Sequence, residues 1–182
     1  MLYITNLQNV SVHRTCTPLY EKYEATPYAT FLDPNETHNI YSGMVMQKTG
    51  PNTVALVDGQ TVAARSFGLS SLDRNPNIDD YTNTLNNSWT AWIGGVNAVF
   101  QIEAPAFDTT ASYVVPTNGS RQFLYPLDTT TISNANVQFL GQLTSVAGLT
   151  GNSAGSIPVA ELLDVLGPTT LVVRLVPFGA TL

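Results

Sequence analysis

Apolar and polar residues alternate in short runs from about residue 40 to the C-terminus. The runs rich in β-branched and aromatic residues are 40–47, 53–58, 96–103, 112–116, 121–126, 137–145 and 169–179. Runs of this length, bounded by Gly, Pro and Asn, predict β-strands. The chain is therefore expected to be mainly β.

Two turn signals organise the first strands. Gly50 and Pro51 suit a hairpin loop, and Asp58 with Gly59 makes a tight turn into the segment 60–68. These signals predict a three-stranded meander. Further along, Asn118 followed by Gly119 is a strong two-residue turn signal.

One stretch, "IPVAELLDVLG", has a helical period. Its apolar positions at i, i+3, i+4 and i+7 are Val159, Leu162, Leu163 and Leu166. Pro158 is placed to start a helix and Gly167 to end it. The spacing predicts one short helix over about 158–166.

Residues 1–39 do not fit the pattern of strands, because prolines at 18, 27 and 34 oppose pairing in a central strand. They predict an extended N-terminal arm that lies on its own body or on a neighbour's. The domain proper would then span 40–182, with an irregular loop region at 69–95. The arm's candidate interface residues are Tyr20, Tyr23, Tyr28 and Phe31.

Charge is scarce in this chain. Of its 182 residues 43% are hydrophobic and 11% charged, against about 25% charged in an average protein, and the net charge is −6. The seven basic residues are scattered singly, which disfavours nucleic acid and anionic membranes as partners. The N-terminus has no signal-peptide pattern, and a lone Cys16 suits folding in a reducing cytosol.

The octet "DRNPNIDD" (73–80) places oxygen-bearing side chains at alternate positions, as a calcium loop does. However, Ile78 occupies the position of the turn glycine, and Thr84 that of the closing glutamate. The pattern favours a solvated loop with Asx turns. A cation shared between Asp73–Asp80 and a neighbouring subunit remains an alternative.

No residue pattern predicts catalysis. A hydrolase could use Asp73, Asp79, Asp80, Glu103 or Asp108, but nothing in the sequence brings two of them to one substrate atom. His13, His38 and Cys16 are not accompanied by a nucleophile elbow or a full set of zinc ligands. We therefore expect no enzyme, no metal site and no cofactor.

Trp89 and Trp92 stand three residues apart in "SWTAWIGG". They could form an aromatic platform for sugars, stack in a protein interface, or lie in the core. The sequence leaves these alternatives open.

The order of features in the second half is familiar. It combines the strand 112–116, the Asn-Gly turn, "RQFLYPLDTTT", "VQFLGQLTS", a Gly/Ser loop and a terminal "LVVRLVP" strand. Together with the early "GMVMQ" and "GPNTVALVDGQ" segments, this order resembles the capsid decoration, or cement, proteins of tailed bacteriophages. The resemblance covers about residues 40–178.

The resemblance implies a single β-barrel or β-tulip-like domain, trimeric at threefold or quasi-threefold positions, with a terminal segment that reaches across capsid subunits. The predicted function is a structural virion protein on the capsid exterior, made in the host cytoplasm, that binds the major capsid protein and itself. The alternative is a carbohydrate-binding β domain of a virion or cell surface, using the two tryptophans.

Overall fold

The computed structural model describes residues 16–19, 25–58, 66–74, 88–94, 98–131, 140–149 and 154–176. These residues form eleven strands and one short 3-10 helix, Ala154–Ser156. The strands are β1 Cys16–Pro18, β2 Ala25–Leu32, β3 Val45–Lys48, β4 Thr53–Leu56, β5 Ser66–Ser70, β6 Ser88–Gly94, β7 Val99–Glu103, β8 Phe123–Pro126, β9 Leu143–Thr144, β10 Ala160–Gly167 and β11 Thr170–Leu175.

The strands divide into two sheets. One is a closed barrel in the order β2-β4-β3-β5-β6, and the other is a six-stranded sheet in the order β1-β7-β11-β10-β8-β9. The prediction of a mainly β, barrel-containing fold is confirmed.

Period-two patterning explains why the strands bury one face. In β7, Phe100 and Ile102 are fully buried, whereas the alternate residues Val99, Gln101 and Glu103 are partly exposed. Most of the buried apolar residues of both sheets belong to one hydrophobic cluster. Trp92 of the barrel packs on Phe100 of the six-stranded sheet, with ring centroids 5.9 Å apart.

Gly141 ties the two sheets together through its backbone. Its N–H donates to the Leu127 carbonyl at 2.8 Å, and its carbonyl accepts from the Val45 N–H at 2.6 Å. Its φ is 77°, and a Cβ there would lie 2.8 Å from Leu56 Cδ2. Only glycine fits this left-handed, crowded position.

The predicted helix over 158–166 is wrong, because this stretch forms β10 and pairs with β11 in an antiparallel hairpin. The register shifts between Leu162 and Asp164 and again between Val165 and Gly167. Each bulge adds one residue, so the inward positions no longer recur every second residue. The added residues gave the stretch its helical spacing.

The predicted meander is also wrong in its strand order. β3 lies between β4 and β5, so the third strand pairs with the first and not with the second. Val45 pairs with Leu69 across this ladder. The segment 59–65, which connects β4 to β5, lies outside the described residues.

The segment 112–116 is not a strand, although the Asn-Gly turn beside it is confirmed. Asn118 and Gly119 have positive φ values of 52° and 79°, and Ser120 N–H donates to the Thr117 carbonyl at 3.1 Å. The Gln122 amide accepts from Val114 N–H at 2.8 Å and donates to the Ser112 carbonyl at 3.1 Å. A side chain thus replaces the backbone ladder that would have made this segment a strand.

The described parts of residues 1–39 pair with the chain's own body. β1 pairs with β7, and β2 runs antiparallel to β6 over residues 25–31. Pro27 is tolerated because β4 pairs with β2 only at Phe31 and Leu32, so at Pro27 the strand has β6 alone as a described neighbour. Residues 1–15 and 20–24 of the predicted arm lie outside the described set.

The predicted irregular region 69–95 contains two strand segments. Residues 69–70 end β5, and 88–94 form β6, whose partners are β2 and β5. The segment "SWTAWIG" forms a strand because it pairs with a strand on each side, although polar residues and glycines flank it. Residues 75–87 and 95 lie outside the described set.

Candidate functional site

The candidate interface residues on β2 fall on alternate faces of the strand. Pro27, Ala29 and Phe31 are exposed, and Phe31 is the most prominent of them, with 49% of its surface accessible. Phe31 pairs with Ser88 on β6, which is also exposed. We call Pro27, Ala29 and Phe31 the outer row of β2. Tyr20 and Tyr23 lie outside the described residues.

Tyr28 belongs to a different contact. Its ring meets the Phe67 ring edge to face, with centroids 5.2 Å apart and planes at 81°. The Lys48 ammonium lies 5.6 Å from the Tyr28 ring and 4.8 Å from the Phe67 ring. This geometry is a cation–π contact that joins β2, β3 and β5.

The tryptophans do not form an exposed platform. Trp89 is 3% exposed and lies in the hydrophobic core. Trp92 is partly buried, and its ring packs on Phe100. Of the three alternatives for this pair, core packing describes Trp89. A platform for sugars would need exposed rings, and the ring of Trp89 is not exposed.

One edge of β2 has little pairing. Phe31 N–H donates to the Asn52 carbonyl at 2.9 Å, and Asp33 N–H donates to the Val54 carbonyl at 2.8 Å. Because alternate peptide groups of a strand point the same way, Ala25 and Ala29 present their polar groups to this same side. No described strand pairs with them there.

The start of the "DRNPNIDD" octet holds a loop in place. The Asp73 carboxylate accepts from Ser42 N–H at 2.5 Å, and Arg74 makes an antiparallel bridge with Ile40. The rest of the octet, 75–80, lies outside the described residues. Asp73 therefore acts in part as a backbone acceptor, and the cation alternative stays a prediction.

Glu36 is a buried carboxylate that clamps the barrel. Its Oε1 accepts from His38 N–H at 2.8 Å and lies 2.7 Å from His38 Nδ1, and its Oε2 accepts from Leu56 N–H at 2.8 Å. Arg74 donates to the Glu36 carbonyl. These bonds fasten the loop after β2 to β4. The sequence carries no motif for this role.

Asp128 makes a comparable clamp beside the six-stranded sheet. Its Oδ1 accepts from the N–H and hydroxyl groups of Thr130 and Thr131, and its Oδ2 accepts from Gly155 N–H at 2.5 Å. Burial raises the pKa of this carboxyl, but the hydrogen bonds from Thr130, Gly155 and Thr131 outweigh burial and hold the pKa below its ordinary value.

The candidate catalytic carboxylates make local contacts. Glu103 accepts from the Gln101 amide at 3.0 Å, and Asp108 accepts from Thr110 N–H at 2.9 Å. Among the residues that the structure describes, no three His, Cys, Asp or Glu side chains gather as a metal site would require. Asp79 and Asp80 lie outside this set.

Cys16 is buried, and burial, helped by the charge of Asp73, raises the pKa of its thiol. A thiol with a raised pKa is a poor nucleophile at neutral pH. The arrangement therefore gives no support to a cysteine nucleophile. His13, its proposed companion, lies outside the described residues.

Among the described residues, no helix is long and apolar enough to cross a membrane.

These features define a class: an all-β protein in which three carboxylates, Glu36, Asp73 and Asp128, fasten loops, and the described exposed apolar side chains lie on strand faces and loops. A family model described as phage cement protein matches residues 2–181, and the chain belongs to this family. A search of curated proteins finds no match.

Membership confirms the resemblance seen in the sequence. It supports a structural, capsid-stabilising role, a location in the virion and binding to the capsid. The family is a structural one, which suggests that the chain is not an enzyme.

Proposed function

We propose that this protein binds the outer surface of a tailed-bacteriophage head through the major capsid protein and stabilises the shell mechanically, without catalysis. It is made in the host cytoplasm and acts as a trimer at threefold or quasi-threefold positions. The family supports the capsid role, and the sequence resemblance supports the trimer.

The observation that carries the proposal is the exposed outer row of β2. A phenylalanine with half of its surface in water, flanked along the strand by exposed Ala29 and Pro27, is an apolar strip on a closed barrel. Aromatic anchors of this kind supply much of the binding energy at protein interfaces. The strip is therefore assigned to the contact with the capsid.

The little-paired edge of β2 supports the same assignment. Ala25 and Ala29 can pair with an extended segment of another chain, as in strand addition to a sheet edge. Pro27 lies between them and has no N–H, so such pairing would be short. Backbone pairing along this edge would fix how the partner's segment is aligned with β2, whereas Phe31 would supply the affinity.

The test uses Phe31→Ser and measures binding to capsids that lack this protein, by co-sedimentation. Loss of a well-packed aromatic anchor should weaken binding by about tenfold or more. Leu166→Ser is the matched control, because Leu166 is 59% exposed but lies on the hairpin β10–β11 of the other sheet. If both variants bind like the parent protein, the outer row of β2 is not the capsid contact.

Truncation separates the arm from the barrel. Removal of residues 2–15 leaves every described strand in place, whereas removal of residues 1–39 deletes β1 from the six-stranded sheet and β2 from the barrel, which it opens. Only the shorter deletion tests whether the N-terminal segment contributes to capsid binding. The role of Tyr20 and Tyr23 is tested by Tyr→Ser changes in the full chain.

A further inference from the structure

The charged residues of this chain are unevenly distributed. The segment 129–160 contains no Asp, Glu, Lys or Arg, and neither does the segment 109–120. Two irregular loops beside the six-stranded sheet, 109–116 and 145–149, lie within these uncharged segments. We call them the neutral loops.

Both neutral loops are fastened next to Asp108. The Tyr113 hydroxyl lies 2.8 Å from the Asp108 carbonyl oxygen and 3.1 Å from the Leu143 carbonyl oxygen. On the other loop, Val146 N–H donates to Thr144 Oγ1 at 3.2 Å, and this hydroxyl lies 3.5 Å from Asp108 Oδ2. The two loops are therefore anchored at the same edge of the sheet, where β9 lies.

Further hydrogen bonds hold the neutral loops in shape. The Gln122 amide accepts from Val114 N–H at 2.8 Å and donates to the Ser112 carbonyl at 3.1 Å. On the other loop, Gly148 N–H donates to the Gly155 carbonyl at 2.6 Å. Because these bonds form within one chain, a partner that binds the loops has less conformational entropy to remove.

The neutral loops expose aliphatic side chains. They hold half of the exposed large apolar side chains that the structure describes: Val114 is 65% exposed, Val115 38%, Val146 51% and Leu149 80%. Together these four residues present on the order of 400 Å² to solvent, the area of a surface patch that is often functional. A standard interface buries about 800 Å² per partner, a little more than half of it apolar. The exposed aliphatic area is thus close to what one such interface needs.

The lack of charge favours a second copy of the chain as the partner. The net charge is −6, so copies repel unless they meet where their surfaces are neutral. In a cyclic oligomer, residues beside the rotation axis lie close to the same residues of the other copies, so a charge there faces its own kind. A partner of different sequence imposes no such restriction, because it can supply the opposite charge. Asp108 and Arg121, which border the segment 109–120, have opposite signs and add no net charge.

We propose that the neutral loops form the contact between copies and lie beside the rotation axis, where Val114 and Leu149 of one copy meet the same loops of the next. The proposal rests on the self-association in the proposed function and names the surface that carries it. The outer row of β2, which is assigned to the capsid, belongs to the other sheet and remains available.

The experiment places a charge at like positions of every copy. Leu149→Lys and Val114→Lys each bring like charges together at the axis, although each lowers the magnitude of the net charge by one. Each should weaken self-association about tenfold or more, because like charges that face one another in an interface repel. Stronger association, which the lower net charge alone would give, contradicts the proposal. Sedimentation velocity over a concentration series gives the association constants. Cross-linking on capsids that lack this protein replaces it if the oligomer forms only there.

A mixture of variants separates a contact between like positions from any other contact. Leu149→Lys and Leu149→Asp should each associate poorly alone, whereas their equimolar mixture should associate about threefold more strongly or better, because Lys and Asp then meet across copies. Leu166→Lys is the matched control, since Leu166 is 59% exposed on the hairpin β10–β11, and it should associate like the parent. Thermal unfolding shows whether each variant retains the fold, and the two loops supply independent variants.

The outcomes separate this inference from the proposed function. If both Lys variants associate like the parent, or if the mixture is no better than its components, the neutral loops are not the contact, although the oligomer stands. Lys variants that associate like the parent but no longer co-sediment with capsids would assign the loops to the capsid instead. If the parent is monomeric both in solution and on capsids, the proposed trimer fails and this inference fails with it. Capsid binding by the weakly associating variants tests the β2 contact separately.

Discussion

The two sheets use their polar side chains differently. In the barrel, the buried carboxylate of Glu36 accepts backbone N–H groups from two segments, and the exposed outer row of β2 is uncharged. In the six-stranded sheet, Glu161 is also buried, at 8% exposed, but it pairs with Arg121 and Arg174, whose side chains are 62% and 33% exposed. Glu36 thus bonds to backbone groups within the barrel, whereas the partners of Glu161 reach solvent.

This difference has an energetic meaning. A buried carboxylate that loses its bonds leaves unsatisfied backbone donors, which is costly. An ion pair whose arginines reach solvent contributes less to folding, because water solvates the arginines when the pair breaks. Mutation of Glu36 should therefore destabilise the fold more than mutation of Glu161.

The largest effect is expected where the two sheets meet. Gly141→Ala combines a left-handed φ with a Cβ placed 2.8 Å from Leu56 Cδ2 and 2.9 Å from the Val45 carbonyl oxygen. We expect the free energy of unfolding to fall by about 3 kcal/mol. Urea titration followed by tryptophan fluorescence measures it.

Gly119→Ala is the control, because Gly119 also has a positive φ but no atom lies within 4 Å of the added Cβ. This variant should lower the free energy of unfolding by only about 1 to 2 kcal/mol, which is the cost of holding alanine in a left-handed conformation. Equal losses in the two variants would show that crowding at Gly141 is not significant.

The second prediction compares the two glutamates directly. Glu36→Ala removes the acceptor of Leu56 N–H and His38 N–H, and should lower the free energy of unfolding by about 2 kcal/mol. Glu161→Ala should cost about 1 kcal/mol or less, since its arginines reach solvent. Chemical denaturation of both variants tests the contrast, and the reverse order would overturn it.

Sequence patterns predicted those parts of the fold that depend on local order. β7 and β8 bury alternate residues, and the turn at Asn118 needs only two residues. β10 was mistaken for a helix because its bulges change the spacing of inward residues, as between Leu162 and Val165. A bulge is set by the partner strand β11, so it is invisible in the run itself.

Long-range contacts account for the rest. The place of β3 between β4 and β5 depends on the pairing of Val45 with Leu69. The role of Glu36 depends on Leu56, twenty residues away. Two of the candidate interface residues differ in exposure: Phe31 is exposed and Trp89 is buried. This difference depends on how β2 pairs with β6. No local period carries that information.

The third prediction concerns pH. Because the folded protein holds the pKa of Asp128 below its ordinary value, the stabilisation from this group is complete above an ordinary pKa of about 4 and is lost as pH falls through the folded value. Asp128→Asn should therefore cost about 1 to 2 kcal/mol at pH 7 and progressively less as the pH falls below about 4.

Unfolding free energies of parent and variant across this pH range give the difference directly. The Asp128 clamp joins the turn after β8 to the 3-10 helix, so the test extends the comparison to a carboxylate outside the barrel. A difference that stays constant with pH would mean that ionisation of Asp128 does not stabilise the fold.

The smallest effect is expected from exposed cations, one on each sheet. Lys48→Ala removes the ammonium that lies over Tyr28 and Phe67, and should cost about 0.5 kcal/mol. Arg121→Ala removes the outer partner of Glu161 at 3.6 Å and should cost less still. A double-mutant cycle of Lys48→Ala with Phe67→Leu isolates the contact between the ammonium and this ring, and a coupling energy near zero would show that it does not help to hold β3 to β5.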